Sequence, residues 1–173
     1  MKTITKDELE KAKANAIAEI ENLYDNTDLD NLDDCKRTYN YYRWIHTKTN
    51  FIMNERQFSC RIESQLKRGT VVWVDFGFNM GNEFGGKHPA IILRKSGQTV
   101  FVVPLSSQEP SKKHNFHVKV NKVYGMTDIT RWTNVLKLQN VSIQRIDENS
   151  SIGNVKGDVL DAINDALKKC HIF

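Results

Sequence analysis

The sequence is poor in the features that mark secreted, metal-binding or membrane-spanning proteins. Its 173 residues include three scattered cysteines, Cys35, Cys60 and Cys170, and their odd number and wide spacing argue against a disulfide framework or a zinc site. No apolar run approaches the roughly 20 residues that a transmembrane helix needs. Because the stretch MKTITKDELEKAK is polar and charged, we expect no signal or transit peptide, no membrane association and a cytoplasmic location.

Charge is divided unequally along the chain. Residues 1–66 carry 10 Lys and Arg against 12 Asp and Glu, a net charge of −2, whereas residues 67–173 carry 15 against 9, a net charge of +6. A basic segment suits an anionic partner, because attraction to phosphates is the sequence-independent part of nucleic-acid binding. The residue pattern changes at the same place, so we predict a helical extension over 1–66 and a second domain over 67–173.

The first 66 residues have the periodicity of helices. Thr5 and Glu8 are spaced as a capping box, and apolar residues then recur at intervals of three and four until the polar stretch 25–28. A second run with the same periodicity covers residues 32–53. Two helices joined by a short polar turn predict a helical hairpin.

After residue 67 the sequence takes on the pattern of β-strands. β-branched and aromatic residues predict strands over 70–76, 89–94, 99–105, 116–120, 134–138 and 141–146. An amphipathic helix follows, with an apolar stripe formed by Val159, Leu160, Ile163 and Leu167. Closely spaced strands followed by one helix predict an α+β fold with a compact, partly closed sheet.

The loop between the first two predicted strands carries the most specific motif. Gly81, Gly86 and Lys87 have the spacing of a phosphate-binding P-loop. However, His88 stands where a magnesium-binding Ser or Thr is required, and Pro89 leads into a strand rather than a helix. The motif therefore does not predict nucleotide binding.

The same loop and its flanks resemble the beginning of MazF/PemK toxins. The matching positions are the segment 67–69, the loop residues and the end of the third strand, where Ser106, Ser107 and Gln108 stand in place of a Thr-x-Gln pattern. The matching loop residues are Gly81, Glu83, Gly85, Gly86 and Pro89. The resemblance covers about 105 residues and implies a small SH3-like β-barrel of the CcdB/MazF type with a C-terminal helix, here preceded by the helical hairpin.

The resemblance implies a metal-independent endoribonuclease that is the toxin of a toxin–antitoxin pair. Such an enzyme needs no cofactor, is usually a homodimer, binds single-stranded RNA and has an antitoxin protein as partner. The RNA 2′-hydroxyl attacks the adjacent phosphate and leaves a 2′,3′-cyclic phosphate and a 5′-hydroxyl. This reaction needs a base, an acid and stabilisation of the non-bridging oxygens.

His88 stands where the family has an arginine, and two interpretations stay open. His88 and Ser106 are the catalytic residues of a variant ribonuclease, with Lys87 supplying part of the lost charge. Alternatively, the protein keeps the toxin fold, does not cleave, and binds RNA, gyrase or an antitoxin, because histidine lacks the permanent charge of arginine. The predicted RNA-binding residues are Lys87, Ser107, Gln108, Lys112, Lys113, His114 and Arg131. Glu83 is expected to organise its loop, and the loop glycines to provide unusual backbone angles or close approaches.

Three further features of the sequence are less specific than the loop motif, and each allows more than one interpretation. His114 and His117 flank a basic loop, which is either a solvated surface loop, a contact to RNA phosphates or the source of an acid–base pair with His88. Without nearby carboxylates or cysteines the two histidines do not predict a metal site. Trp132 is either part of the core or a stacking surface for an unpaired base. The aromatic cluster 39–44 either packs within the hairpin or binds RNA, and the acidic extension is either structural or a regulatory arm that covers the basic groove and inhibits the toxin.

Overall fold

The computed structural model describes residues 3–171, and the chain divides into two compact units between Asn50 and Phe51. In the first unit, helix α1 spans Lys6–Asp25; helix α2 spans Leu32–Asn54 and ends in the second unit. The hydroxyl of Thr5 accepts the N–H of Glu8 at 3.2 Å, and the Glu8 carboxylate accepts the N–H of Thr5 at 2.9 Å. The predicted capping box is thus confirmed.

Polar contacts close the helical hairpin. The Tyr42 hydroxyl donates to the carbonyl of Ile20 at 2.8 Å, and the hydroxyls of Thr27 and Thr38 lie 2.8 Å apart. Within these two helices, α1 has no buried residue and α2 has only Thr38. The hairpin predicted from the sequence is confirmed, but its apolar residues do not form a core.

In the described residues 51–171, the second unit contains the end of α2, seven strands, four short 3₁₀ turns and one further α-helix. Five strands form an antiparallel sheet in the order β6-β3-β2-β1-β7, and β4 pairs with β5 in a second antiparallel sheet. The strands are β1 (Thr70–Asp75), β2 (Lys87–Ser96), β3 (Thr99–Pro104), β4 (His117–Val120), β5 (Arg131–Asn134), β6 (Gln139–Ser142) and β7 (Gly153–Asn154), and the helix is α3 (Gly157–Lys169). An isolated bridge between Ser106 and Trp132 joins the end of β3 to β5.

The large sheet is buried on both faces because successive side chains of a strand point to opposite sides. Val72 and Val74 of β1 pack in a cluster that includes residues of the segment 58–66, whereas Val71 packs in a second cluster with residues of β4 and α3. Full burial of one such side chain contributes about 1.5–3 kcal/mol. Three residues that precede the basic segment already belong to the first cluster: Cys60, Ile62 and Leu66.

Two of the predicted strands lie earlier in the chain than expected: β5 covers Arg131–Asn134 where 134–138 was predicted, and β6 covers Gln139–Ser142 where 141–146 was predicted. β5 ends at Asn134, whose side chain accepts the N–H of Leu136 at 2.9 Å and caps the 3₁₀ turn Val135–Lys137. In the same way Ser142 ends β6 by accepting the N–H of Gln144 at 3.3 Å. Short polar side chains that bind nearby backbone N–H groups compete with strand pairing, and here they outweigh the β-branched neighbours.

The predicted α+β fold, with an N-terminal hairpin and a helix after the strands, is confirmed. It differs from the expected barrel in one respect, because the strands form two sheets joined by bridges rather than a single closed sheet. Across residues 3–171, no helix combines the length and the apolar composition that crossing a bilayer requires.

Candidate functional site

The glycine-rich loop after β1 is closed at its base by two backbone hydrogen bonds. The N–H of Gly86 donates to the carbonyl of Gly77 at 2.7 Å, and the N–H of Phe76 donates to the carbonyl of Gly86 at 2.8 Å. Gly86 has a φ of +79°, and a Cβ at Gly85 would lie 2.7 Å from the Gly77 carbonyl oxygen. A side chain at either position would therefore strain or open the base of the loop.

The tip of this loop is held by its own side chains. The Glu83 carboxylate accepts the N–H of Met80 at 3.2 Å, and the Asn79 amide donates to the carbonyl of Phe84 at 2.6 Å. Glu83 therefore has the contact expected of a residue that organises the loop. Gly81, at the exposed tip, has a φ of +55°.

Two residues that follow β5 anchor the loop to the rest of the second unit. The Lys137 ammonium donates to the carbonyl of Asn82 at 2.6 Å, and the Gln139 amide donates to the carbonyl of Phe84 at 3.2 Å. Both contacts join residues 55 positions apart in the chain.

His88 lies in β2 opposite Val74, next to the buried Pro89. Its ring is half-buried and packs against Phe84, with ring centroids 4.7 Å apart, and Phe84 in turn meets Phe76 edge-on at 5.2 Å. Burial lowers the pKa of His88 below its usual value. The imidazole is therefore neutral at pH 7 and is able to accept a proton, but it carries no permanent charge for a phosphate.

Lys87 has an anionic partner within the protein. Its ammonium lies 2.5 Å from the carboxylate of Asp147, which also accepts the Ser150 hydroxyl at 2.6 Å. The hydrogen bonds from Lys87 and Ser150 lower the pKa of Asp147 to about 2. At neutral pH the charge of Lys87 is thus matched by Asp147, so Lys87 does not simply replace the charge of an arginine at position 88.

Ser106 and Gln108 line a cleft of about 180 Å³ between the end of β3 and the small sheet, which is the two-stranded sheet of β4 and β5. The Ser106 hydroxyl accepts the N–H of Gln108 at 3.0 Å, which leaves its proton for donation to a ligand. Ser107 is exposed and does not line the cleft. The other lining residues are Phe84, Pro104, Pro110, His117, Trp132, Thr133, Asn134 and Lys137.

The indole ring of Trp132 forms one wall of this cleft and has cations nearby. The Lys113 ammonium lies 5.1 Å from the ring centroid and the Lys119 ammonium 5.9 Å, both within cation–π distance. Lys113 also forms an ion pair with Glu109 at 2.7 Å, which lowers the pKa of that carboxyl. Positive charge and an aromatic face therefore meet at the rim of the cleft.

His114 and His117 are linked to each other rather than to a carboxylate. The backbone N–H of His114 donates to the ring atom Nδ1 of His117 at 3.2 Å, and the His114 ring stacks on Phe116 with centroids 4.9 Å apart. Burial and the nearby His114 lower the pKa of His117. Since Nδ1 accepts a hydrogen bond, the neutral His117 carries its proton on Nε2.

The structure gives Arg131 a different environment from the predicted RNA contact. Arg131 is 5% exposed, does not line the cleft, and donates to the carbonyls of Thr127 and Ile129 at 3.1 and 3.2 Å. Burial lowers its pKa. These contacts favour a structural role in holding the segment 127–129. Lys112, by contrast, is exposed.

The structure thus brings Ser106 and Gln108 together with Trp132 and His117, whereas His88 does not line the cleft. Phe84 contacts both places, because it lines the cleft and packs against His88. Lys137 and Asn134 were missed by the sequence analysis. The pairing of β4 with β5 places Asn134 opposite His117 and Trp132 opposite Lys119, so knowledge of this register would have pointed to Asn134.

No group of three His, Cys, Asp or Glu side chains suited to a metal ion occurs in the described part of the chain. The polar groups at the cleft are hydroxyl, amide, imidazole and ammonium groups. Such groups donate hydrogen bonds to phosphate oxygens and to base edges, and the aromatic rings offer surfaces for base stacking.

Residues 67–171 match a protein family described as the PemK-like, MazF-like toxin of type II toxin–antitoxin systems. No curated protein sequence matches the chain at a significant level. Among solved structures, MazF (Form-I) from Deinococcus radiodurans is 19% identical with a TM-score of 0.50, and the match covers 62% of this chain and 96% of that chain. An endoribonuclease in complex with its cognate antitoxin, from a mycobacterial species, is 17% identical with a TM-score of 0.45, covering 61% and 94% of the two chains. At this level of identity, the likeness to the Deinococcus protein shows the fold alone.

Proposed function

The chain belongs to the PemK-like, MazF-like toxin family of type II toxin–antitoxin systems, and from this premise we propose that it is a metal-independent endoribonuclease that cleaves single-stranded RNA. The observation that carries the proposal is the cleft of Ser106 and Gln108, where a hydroxyl proton and the aromatic wall of Trp132 lie together, with the ammonium groups of Lys113 and Lys119 near the Trp132 ring. RNA cleavage needs donors for the phosphate oxygens and a surface for an unstacked base.

In this proposal the 2′-hydroxyl of the RNA is the nucleophile. Its oxygen bonds to the adjacent phosphorus, its proton passes to the neutral imidazole of His88, and the bond from phosphorus to the 5′-oxygen breaks as that oxygen takes up a proton from a water molecule. The products are a 2′,3′-cyclic phosphate and a 5′-hydroxyl. The Ser106 hydroxyl donates to a non-bridging oxygen, because its acceptor side is already bound to the N–H of Gln108.

His88 and Ser106 act on the same phosphate in this mechanism. Phe84 packs against His88 and lines the cleft together with Ser106. Catalytic hydrogen bonds are often long in the free enzyme and shorten in the substrate complex. The lowered pKa of His88 favours the base form, so the rate should rise with pH and reach half its maximum below the usual histidine pKa of about 6.5.

We also propose an antitoxin protein and a second copy of this chain as partners. Membership of a toxin–antitoxin family supports the antitoxin, and the homodimer follows from the usual state of MazF/PemK toxins. The net charge of +6 on residues 67–173 suits an acidic antitoxin segment as well as RNA.

A second candidate function is RNA binding without cleavage. The observation that favours it is the ion pair between Lys87 and Asp147, since it leaves the permanent charge of the family's arginine unreplaced beside His88. In that case Ser106, Gln108 and the lysines bind phosphates, but no group stabilises the charge that develops in the transition state.

Cleavage of a long unstructured RNA in EDTA distinguishes the two candidates. We expect wild-type protein to release discrete fragments, Ser106→Ala to be slower by about 10²–10³-fold and His88→Ala by about 10²–10⁴-fold. Ser111→Ala, an exposed serine in the same loop, is the matched control and should cleave at the wild-type rate. Binding without fragments would reject the ribonuclease and support the second candidate.

A further inference from the structure

The outward face of the small sheet presents a wall of ring and amide groups to the cleft. Because β4 and β5 are antiparallel, His117 lies opposite Asn134 and Lys119 opposite Trp132, and these four side chains share one face of the sheet. Val118 and Val120, on the other face, are buried in the core. His117, Trp132 and Asn134 all line the cleft.

His117 is arranged to donate a hydrogen bond and not to accept one. Its Nδ1 atom accepts the N–H of His114 at 3.2 Å, so Nε2 carries the remaining proton of the neutral ring. Acceptance at Nε2 would require moving the proton to Nδ1 and losing the bond to His114. A ligand group that meets Nε2 must therefore be an acceptor, such as a carbonyl oxygen.

The dimensions and the walls of the cleft suit one planar ring. Its volume of about 180 Å³ is below the roughly 300–1,000 Å³ of typical small-molecule sites. Phe84, Pro104 and Pro110 add apolar surface to the lining. The cations that would attract phosphates, Lys113 and Lys119, lie near the Trp132 ring and do not line the cleft.

We propose that this cleft is a base-reading pocket, in which one unpaired nucleobase stacks against Trp132 and its carbonyl oxygen accepts a hydrogen bond from Nε2 of His117. The proposal rests on the proposed binding of single-stranded RNA. The acceptor in this proposal is a carbonyl oxygen; uracil, cytosine and guanine carry one, whereas adenine offers only ring nitrogens, so the proposed pocket favours the first three. With Ser106 in the same cleft, the base that it reads lies next to the phosphate that Ser106 binds.

Binding of five-nucleotide 2′-O-methyl oligonucleotides tests the pocket in the full-length protein. These oligonucleotides lack the 2′-hydroxyl and stay intact, so affinity is measured without cleavage. We expect His117→Asn to bind the uridine pentamer roughly tenfold more weakly and the adenosine pentamer as the wild type does, the loss corresponding to one hydrogen bond. The Asn side chain keeps an acceptor near the His114 N–H, so this variant removes the Nε2 donor but not the loop contact.

Two further variants distinguish loss of the hydrogen bond to the base from a general loss of the folded cleft. His117→Gln places an amide N–H near the position of Nε2, so it should retain most of the affinity for the uridine pentamer. Trp132→Leu should weaken both pentamers by a similar factor of roughly ten, because stacking on an aromatic ring is tolerant of sequence. Equal weakening of both pentamers by His117→Asn would overturn the proposal, as would no weakening of either.

The outcomes for cleavage and for the pocket are independent. Uridine-selective weakening by His117→Asn in a protein that does not cut RNA supports the pocket and rejects the ribonuclease. Cleavage of RNA together with unselective effects of His117→Asn supports the ribonuclease and overturns the pocket. Failure of the wild type to bind either pentamer overturns the pocket directly.

Discussion

Thr70 and Thr133 are buried to a similar degree, but their hydroxyls differ in hydrogen bonding. Thr70 is 4% exposed, and its hydroxyl donates to the carbonyl of Gln65 at 2.8 Å. Thr133 is 1% exposed, and its hydroxyl has no hydrogen-bond partner among residues 3–171. Valine has nearly the shape of threonine without the hydroxyl, so the variants Thr70→Val and Thr133→Val remove one bonded and one unbonded hydroxyl.

The two substitutions should change the free energy of unfolding in opposite directions. A buried hydroxyl without a partner costs about 1–3 kcal/mol in mutational data, so we expect Thr133→Val to stabilise the second unit by about 1 kcal/mol. Thr70→Val loses a hydrogen bond and leaves the Gln65 carbonyl without it, which should destabilise by about 1–2 kcal/mol.

Urea unfolding followed by tryptophan fluorescence measures both effects. With an m-value of about 2 kcal/mol/M, 1 kcal/mol shifts the midpoint by about 0.5 M, upward for Thr133→Val and downward for Thr70→Val. The m-value should stay constant, since neither variant changes the surface exposed on unfolding. If Thr133→Val lowers the midpoint as much as Thr70→Val does, its hydroxyl is satisfied in solution and the reasoning fails.

Three other predictions concern the division of the chain and the loop. Deleting residues 1–50 should leave the second unit folded, whereas deleting 1–66 also removes three core side chains and should cost about 5 kcal/mol, as circular dichroism during urea unfolding would measure; equal stability of the two truncated proteins would contradict this. Asp147→Asn frees the charge of Lys87, so the slope of log affinity for RNA against log salt should steepen by about 0.7, and an unchanged slope would contradict it. His88→Arg keeps a charge at every pH between 5 and 7, so its cleavage rate should be flat over this range while the wild-type rate rises; parallel profiles would exclude His88 as the base.

Local chemistry explains which parts of the fold could be predicted from the sequence. Thr5 and Glu8 are three residues apart, so their capping box depends on no distant part of the chain. The β-branched run of β1 predicts a strand for the same reason. Glu83, whose contact to Met80 spans three residues, also lies within the range that a local pattern describes.

Contacts between distant residues could not be predicted in this way. Lys87 and Asp147 are 60 positions apart, so their ion pair depends on how the segment after β6 returns to β1. Arg131 was expected beside RNA because it is next to Trp132 in the sequence. Adjacent residues of a strand face opposite sides, however, and the register of β4 with β5 turns Arg131 inward and Trp132 toward the cleft.

The set of residues that line the cleft could also be predicted only in part. Ser106 and Gln108 stand out through the resemblance to the toxin family, whereas His117 and Lys137 come from other elements and meet them only in the folded protein. The tautomer of His117 depends on the backbone N–H of His114, and no sequence pattern specifies that contact.

Cleavage of an RNA with a single 2′-deoxy substitution tests the central claim most directly. An RNA that the wild-type protein cuts at one bond in EDTA is compared with the same RNA lacking only the 2′-hydroxyl on the 5′ side of that bond. We predict that the first RNA yields fragments with a 2′,3′-cyclic phosphate and a 5′-hydroxyl, and that the substituted RNA stays intact at that bond. Cleavage of the substituted bond at an undiminished rate, or fragments with 5′-phosphate ends, would contradict a metal-independent attack by the 2′-hydroxyl.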